Sequence, residues 1–111
     1  MNPFSRIPLL TALALSCLSS PNFAVEPDAA LIHQNGQFTP PLLIVPSGKK
    51  VRLRIENLET ESMELESETL AVEIVIPPQH TTIIHIGPLA PGRYDYFNDD
   101  NPQEKGVIVA Q

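Results

Sequence analysis

Cysteine is nearly absent from this chain, which has a single thiol, Cys17, among its 111 residues. That thiol lies in an apolar leader that we expect to be removed. The part of the chain expected to fold therefore has no thiolate for a soft metal and no disulfide.

Basic side chains are scarce as well. Seven Lys and Arg stand against thirteen Asp and Glu. A nucleic-acid-binding protein needs basic surface to neutralise phosphates, so this balance argues against nucleic acid as a partner. An acidic surface suits a cation partner, and it also keeps a small protein soluble.

No catalytic constellation is found in the sequence. It has no Gly-x-Ser-x-Gly elbow, no phosphate-cradling glycine loop, no His-Glu-x-x-His zinc helix and no cysteine nucleophile outside the leader. Paired carboxylates occur, but nothing else in the sequence indicates a concave hydrolytic site. We therefore predict a protein that is not an enzyme by itself.

No apolar run is long enough to span a bilayer. Residues 1–24 have a short basic start, an apolar run over 7–18 and a tail of small residues, the layout of a secretory signal. We predict cleavage near Ala24, with residues 25–111 as one domain in the periplasm or outside the cell. Lipidation of Cys17 is the alternative, although the residues before it match a lipoprotein signal weakly.

A helical apolar period of useful length is also missing after residue 24. Instead, short β-branched and aliphatic runs alternate with turn signals, which predicts an all-β antiparallel sandwich or barrel of seven to eight strands. The clearest strand covers 51–56, where Val51, Leu53 and Ile55 alternate with charged residues. Asn35-Gly36 predicts a tight turn. Tyr94 stands where sandwich folds place a tyrosine whose hydroxyl bonds a nearby backbone group.

The stretch 87–109 reads as a turn, an aromatic strand, an acidic loop and a closing strand at 107–109. Together with earlier segments it resembles a known family. The segments are 38–40 (Phe-Thr-Pro), 45–57, 64–67, 87–94 and 106–109. They are similar in order to small exported cupredoxin-like domains, above all the branch found in EfeO-type iron-uptake proteins and as the cupredoxin component of bacterial ferrous-iron transporters.

The resemblance implies a Greek-key β-sandwich, and it implies a periplasmic iron-binding protein and an inner-membrane permease as partners. In a blue-copper relative the loop in 87–109 would supply a Cys, a His and a Met. Here those positions hold Asn98, Asn101 and Glu104. Copper of that type needs a thiolate and imidazoles, so we exclude a type 1 blue-copper centre.

Carboxylates are the ligands that remain. Glu64 and Glu66 share a face if their segment is extended. The family arrangement would bring Asp100 and Glu104 to the same end of the sandwich, and Glu73 matches a family position as a further ligand or an orienting group. Such oxygen ligands suit hard or borderline cations, so the candidate ion is iron or copper.

The alternative interpretation of these carboxylates is a solvated surface. By the same reasoning His33 and His80, beside turns, are expected to face solvent. His85 is expected on the exposed side of its strand, although it is the best imidazole if copper binds. Met63 is expected to fill the core rather than act as a thioether ligand.

Two functions from different classes follow. The first is a periplasmic cupredoxin-like protein that binds metal in iron uptake, with ferrous-iron oxidation carried out together with partner proteins. The second is a metal-free β-sandwich that serves as an interaction module of a transport assembly.

Overall fold

The computed structural model describes residues 27–111. The predicted leader at 1–24 lies outside them. Within the described residues, nine strands follow one another without a helix: β1 (Ala29–Gln34), β2 (Gln37–Thr39), β3 (Leu42–Val45), β4 (Val51–Asn57), β5 (Met63–Ser67), β6 (Val72–Ile76), β7 (His80–Ile86), β8 (Gly92–Asn98) and β9 (Asn101–Ala110).

The strands form two sheets. One has four strands in the order β2-β1-β4-β7, and the other has five in the order β3-β9-β8-β5-β6. Apolar side chains from the inner faces of both sheets make the core, and Leu31, Ile55, Met63, Ile76 and Tyr96 are among its most buried members. The all-β sandwich prediction is therefore confirmed.

Period-two alternation explains which face each strand buries. In β4, Val51, Leu53 and Ile55 are buried while the charged residues between them are only half-buried. In β7, Ile86 is buried and His85 is exposed, as its place in the alternation predicts. The expected core position of Met63 is also confirmed, because its side chain is fully buried.

Turn chemistry behaves as the sequence predicts. Asn35 and Gly36 join β1 to β2 with φ values of 54° and 69°. Those angles are the left-handed conformation that Asn-Gly hairpin turns require. The hydroxyl of Tyr94 donates a hydrogen bond to the carbonyl oxygen of Ala90 at 2.8 Å, as expected for a tyrosine at this corner.

Two details of the predicted architecture differ. The structure has nine strands rather than seven or eight, since the short β2 forms at a sheet edge. Two pairs, β1 with β4 and β3 with β9, are parallel. In both pairs the chain crosses to the other sheet between the partners, and such a crossover permits parallel pairing where a hairpin would not.

The acidic loop is much shorter than predicted. Strand β9 already begins at Asn101, so the connection from β8 is a tight turn at Asp99 and Asp100. A register shift between Phe97 and Asn98 precedes this turn. Glu104, which we expected in the loop, is therefore a strand residue whose direction is set by the pleat of β9.

Candidate functional site

One end of the sandwich brings the β8–β9 turn against the ends of β1 and β4. The centre of this region is Asn98, which ends β8 and is buried. Its side-chain oxygen accepts hydrogen bonds from the backbone N–H of Glu64 at 3.2 Å and of Asp100 at 3.1 Å. Asn98 thereby holds the acidic turn against β5.

The amide nitrogen of Asn98 donates a hydrogen bond to Oε1 of Glu104 at 2.8 Å. The same carboxylate oxygen lies 2.8 Å from Nε2 of His33. Because His33 is on β1 and Glu104 is on β9, this pair connects the two sheets. A buried imidazole and a carboxylate thus meet where the sequence interpretation placed only carboxylates.

His33 is only 3% exposed, so the prediction that it faces solvent is wrong. The turn beside it suggested exposure, but the pleat of β1 puts His33 on the same inner face as Leu31. Its Nδ1 lies 3.3 Å from Oδ1 of Asn57, and its ring packs 4.9 Å from that of Phe38. His80 and His85 are exposed, as predicted.

Asn57 completes the network from the end of β4. Its side-chain nitrogen contacts the carbonyl oxygens of Glu61, Ile76 and Pro77 at 2.9, 3.0 and 3.2 Å. Its side-chain oxygen accepts the N–H of Glu59 at 3.0 Å. The fully buried amide therefore has partners on both of its polar atoms.

The environment of Glu104 controls its ionisation. Burial alone would raise its pKa, but the hydrogen bonds from Asn98 and His33, with the charge of His33, outweigh burial and lower the pKa. A glycine leaves room for the carboxylate, since a Cβ on Gly36 would lie 3.2 Å from its Oε2. The surroundings of Glu104 therefore favour its ionised form.

A second group of carboxylates lies on the outer face of the five-stranded sheet. Glu64 and Glu66 alternate with buried residues of β5, so their side chains share this face, as predicted. Glu66 is the cross-strand partner of Glu73 on β6. Glu73 influences the pKa of Glu64, and Asp99 influences that of Glu66, so these carboxyl groups are neighbours on the sheet surface. We call Glu64, Glu66, Glu73 and Asp99 the carboxylate face.

Crowding raises two pKa values on the carboxylate face. The pKa of Glu64 is raised first by its contact with Glu73, then by desolvation and the charges of Asp99, Glu73 and Asp100. The pKa of Glu66 is raised first by desolvation and then by the charges of Asp99 and Glu73. No Lys or Arg within residues 27–111 comes within 4.0 Å of these four carboxylates. Among the described residues, their negative charge is therefore not balanced by a basic side chain in contact with them.

The structure divides the five predicted ligands between two places. Glu64, Glu66 and Glu73 are together on the carboxylate face, whereas Glu104 is engaged with His33 and Asn98. Asp100 borders a polar cleft of about 320 Å³ at the tip of the sandwich, lined by His33, Glu59, Thr60, Glu61, Ser62, Asn98, Asp100, Asn101 and Glu104. Within residues 27–111, no three His, Cys, Asp or Glu side chains converge closely enough to hold a metal ion.

A type 1 copper ion does not fit the residues at the tip. His33 has a hydrogen-bonding partner at each ring nitrogen, and Asn98 uses both its side-chain oxygen and its side-chain nitrogen. Met63 is enclosed in the core. The donors available there are oxygens and one occupied imidazole, which is not the thiolate and imidazole set that such copper requires.

Sequence reasoning missed His33, Asn57 and Asn98 as members of one network. The signal for His33 was the alternation in β1, which places it beside Leu31 on the inner face. Asn57 likewise continues the buried series of β4. No signal in the sequence indicated that His33 would meet the other members, because its contacts with Asn57 and Glu104 span 24 and 71 positions of the chain.

Residues 27–111 contain no helix with the length and apolar character that a membrane span needs.

The family model for the cupredoxin-like domain matches residues 7–110. Among curated proteins, the chain is 36% identical over 63 residues to "Uncharacterized protein RP394" of Rickettsia prowazekii (strain Madrid E), covering 57% of this chain. It spans about half the length of that relative, 50%.

Solved structures share the fold at low sequence identity. Auracyanin from Roseiflexus castenholzii, in its dithionite-reduced form, has a TM-score of 0.62 and 14% identity, covering 78% of this chain and 98% of auracyanin. Amicyanin from Paracoccus versutus has a TM-score of 0.59 and 13% identity, covering 75% and 80%. The reduced Cu(I) form of an amicyanin mutant has a TM-score of 0.62 and 14% identity, covering 78% and 84%.

Proposed function

This chain belongs to the cupredoxin-like domain family, and we propose that it is an exported protein that binds a hard or borderline metal cation on its carboxylate face. Oxygen donors suit hard or borderline cations, and the resemblance to iron-uptake components makes iron the first candidate, with Cu(II) as the second. We propose that it serves iron uptake in the periplasm. The proposed partners are an iron-binding protein and an inner-membrane permease.

The observation that carries the proposal is the cross-strand placement of Glu66 against Glu73, with Glu64 on the same face and no Lys or Arg of residues 27–111 within salt-bridge distance. Neighbouring carboxylates disfavour one another's ionised forms, which raises the pKa of Glu64 and of Glu66, and a bound cation would relieve that repulsion. Side chains of this type move easily at a partly exposed sheet surface. A cation can therefore draw Glu66 and Glu73, which are direct cross-strand neighbours, into one coordination shell.

Asp99 and Asp100 extend the negative field from the adjoining turn. The backbone N–H of Asp99 donates to the carbonyl oxygen of Glu64 at 2.8 Å, so the turn stays beside β5. In the proposal, Asp99 joins the ligands and Asp100 attracts the cation. Glu104 borders the same end of the sandwich, but its contacts with His33 and Asn98 give it a separate role.

Export and the iron-uptake setting are supported by other features. The leader at 1–24 has the layout of a secretory signal, which supports export. The resemblance of five segments to ferrous-iron transporter components supports a role in iron uptake. In the proposal, any oxidation of ferrous iron takes place together with partner proteins.

Isothermal titration of the full chain with Fe(II) under anaerobic conditions, Mn(II) and Cu(II) tests the proposal. We expect a dissociation constant below about a millimolar, which corresponds to roughly 4 kcal/mol of binding free energy. Glu66→Gln and Glu73→Gln should each weaken binding at least tenfold.

Glu56→Gln is the matched control, because it removes the same charge from β4 in the other sheet. Binding by that variant should equal that of the wild type. Heat-silent titrations with all three cations, or equal affinities in the Glu66, Glu73 and Glu56 variants, would refute the cation site.

A second function is favoured by the closed network at the tip. Since His33, Glu104 and Asn98 satisfy one another, the domain needs no metal there to hold its turn, and it can serve as a metal-free interaction module of a transport assembly. In that case the titrations give no binding, and the chain co-purifies with a permease or iron-binding protein even after Glu66→Gln and Glu73→Gln are combined.

A further inference from the structure

The hydrogen bonds at the tip fix the orientation of two amide side chains. The nitrogen of Asn57 contacts three carbonyl oxygens, and a flipped amide would place its oxygen against all three. Its oxygen also accepts the N–H of Glu59. The atom that Asn57 presents to Nδ1 of His33 is therefore an acceptor.

The same reasoning applies to Asn98. Its oxygen receives two backbone N–H groups, those of Glu64 and Asp100, so its nitrogen must be the atom that meets Oε1 of Glu104. Glu104 consequently receives a hydrogen bond from Asn98 and needs no proton of its own for that contact.

His33 thus faces an acceptor from each ring nitrogen, the oxygen of Asn57 at 3.3 Å and the carboxylate of Glu104 at 2.8 Å. A neutral imidazole has only one N–H, so it could satisfy only one of these contacts. The ring must carry a proton on both nitrogens, or Glu104 must hold the second proton. Either way, one proton lies between His33 and Glu104.

The charge around the pair decides where that proton resides. Burial opposes ionisation of Glu104, but the hydrogen bond that it accepts from the amide nitrogen of Asn98 stabilises the ionised carboxylate. The other titratable side chains that line the cleft, Glu59, Glu61 and Asp100, are all acidic. They favour a cationic ring, so the proton belongs to His33 and the pair is an imidazolium–carboxylate bridge.

We infer that this His33–Glu104 bridge fastens the two sheets to each other at the tip, and that this end of the sandwich is closed without a metal. The bridge links β1 of one sheet to β9 of the other, and through Asn98 it holds the Asp99–Asp100 turn. This inference does not rest on the proposed cation site, which lies on the outer face of β5 and β6.

Nuclear magnetic resonance of the ¹⁵N-labelled full chain reports the ring protons directly. At pH 7 we expect both nitrogens of His33 to be protonated in a long-range ¹H–¹⁵N correlation spectrum. The exposed rings of His80 and His85 serve as internal references. A His33 ring with one unprotonated nitrogen at pH 7 would overturn the inference, whatever the variants do.

Glu104→Gln keeps the shape of the side chain but removes its charge. We expect His33 to lose one ring proton at pH 7 and the urea midpoint of unfolding to fall. Glu61→Gln removes the same charge from an exposed position of the same cleft but leaves the bridge intact, so it should leave both ring protons on His33 at pH 7 and lower the urea midpoint much less than Glu104→Gln. An unchanged His33 ring in Glu104→Gln would contradict the bridge.

Metal addition supplies an independent measurement on the wild-type chain. One equivalent of Zn(II), a diamagnetic ion, should leave the ring ¹⁵N shifts of His33 unchanged. A change in the ring ¹⁵N shifts of His33 before those of His80 and His85 would show that the metal binds His33, and it would overturn the inference even if the carboxylate face also binds the ion. Failure of the carboxylate-face titrations would leave the His33 spectrum unchanged, so the two proposals fail separately.

Discussion

Gly106 of β9 lies directly across from Tyr96 of β8, and the Tyr96 ring covers it. A Cβ added at Gly106 would overlap the hydroxyl oxygen of Tyr96 and lie 2.5 Å from Cζ and 3.1 Å from Cε1. Carbon atoms in ordinary contact are roughly 3.5–4.0 Å apart. Gly106→Ala therefore requires the ring to move by about 1 Å.

The ring has little freedom to move. Tyr96 is 1% exposed, and its ring meets that of Phe38 edge-on, with centroids 5.0 Å apart and an interplanar angle of 83°. Overpacking of a filled core typically costs about 1–3 kcal/mol, and the close approach to several ring atoms favours the upper end of that range. We therefore expect Gly106→Ala to lower the free energy of unfolding by about 3 kcal/mol.

Urea unfolding and thermal melting measure this loss. A change of 1 kcal/mol shifts the melting temperature of a domain this small by roughly 4–8 °C, so the expected loss corresponds to more than about 10 °C. Gly48→Ala is the control, because its added Cβ has no neighbour within 4 Å although its φ is +74°. That variant should show only the cost of a strained backbone, about 1 kcal/mol.

A Gly106→Ala protein that melts within about 2 °C of the wild type would refute the reasoning, since it would correspond to less than roughly 0.5 kcal/mol. So would equal losses in Gly106→Ala and Gly48→Ala, because the cost would then come from restricting glycine and not from the Tyr96 ring.

Three further predictions concern ionisation and a buried hydroxyl. Tyr96→Phe should leave stability unchanged or raise it by about 1 kcal/mol, because the Tyr96 hydroxyl has no hydrogen-bonding partner within residues 27–111; a clear loss in urea would contradict this. Glu104 has a lowered pKa, so its ionised form stabilises the fold. That contribution is complete above the ordinary pKa of 4.5 and is lost as pH falls through the folded-state pKa. The difference in urea midpoint between the wild type and Glu104→Gln should therefore disappear in acid. Glu66 has a raised pKa, so its charge destabilises the fold at neutral pH. Glu66→Gln should therefore raise the urea midpoint at pH 7, and this gain should shrink as pH falls through the raised pKa. A gain that stays constant with pH would show that the charge of Glu66 is not its cause.

The sequence determined most of the secondary structure. Alternation in β4 and β7, the Asn35-Gly36 turn and the tyrosine corner at Tyr94 are local signals, because each depends on residues within a few positions of one another. The placement of Glu64 and Glu66 on one face also follows from pleat geometry alone. The all-β sandwich could be predicted for the same reason.

Prediction failed where direction depends on a neighbour far along the chain. The acidic residues after β8 suggested a loop, but pairing with β8 extends β9 to Asn101 and turns Glu104 toward the other sheet. A turn signal beside His33 suggested exposure, but packing of the two sheets enclosed it. In both cases a contact that forms only in the assembled sandwich, and not the local sequence pattern, determines where the side chain lies.

By itself, then, the sequence determined that residues 27–111 form a β-sandwich rich in carboxylates and free of cysteine, since period and composition are properties of short segments. Only the tertiary structure decided how those carboxylates divide. Glu64, Glu66 and Glu73 crowd together because β5 and β6 pair in that register. Glu104 instead meets His33 because β9 and β1 belong to different sheets that pack face to face. The partner of each carboxylate is determined by packing between distant segments, and it cannot be read from the spacing of residues along the chain.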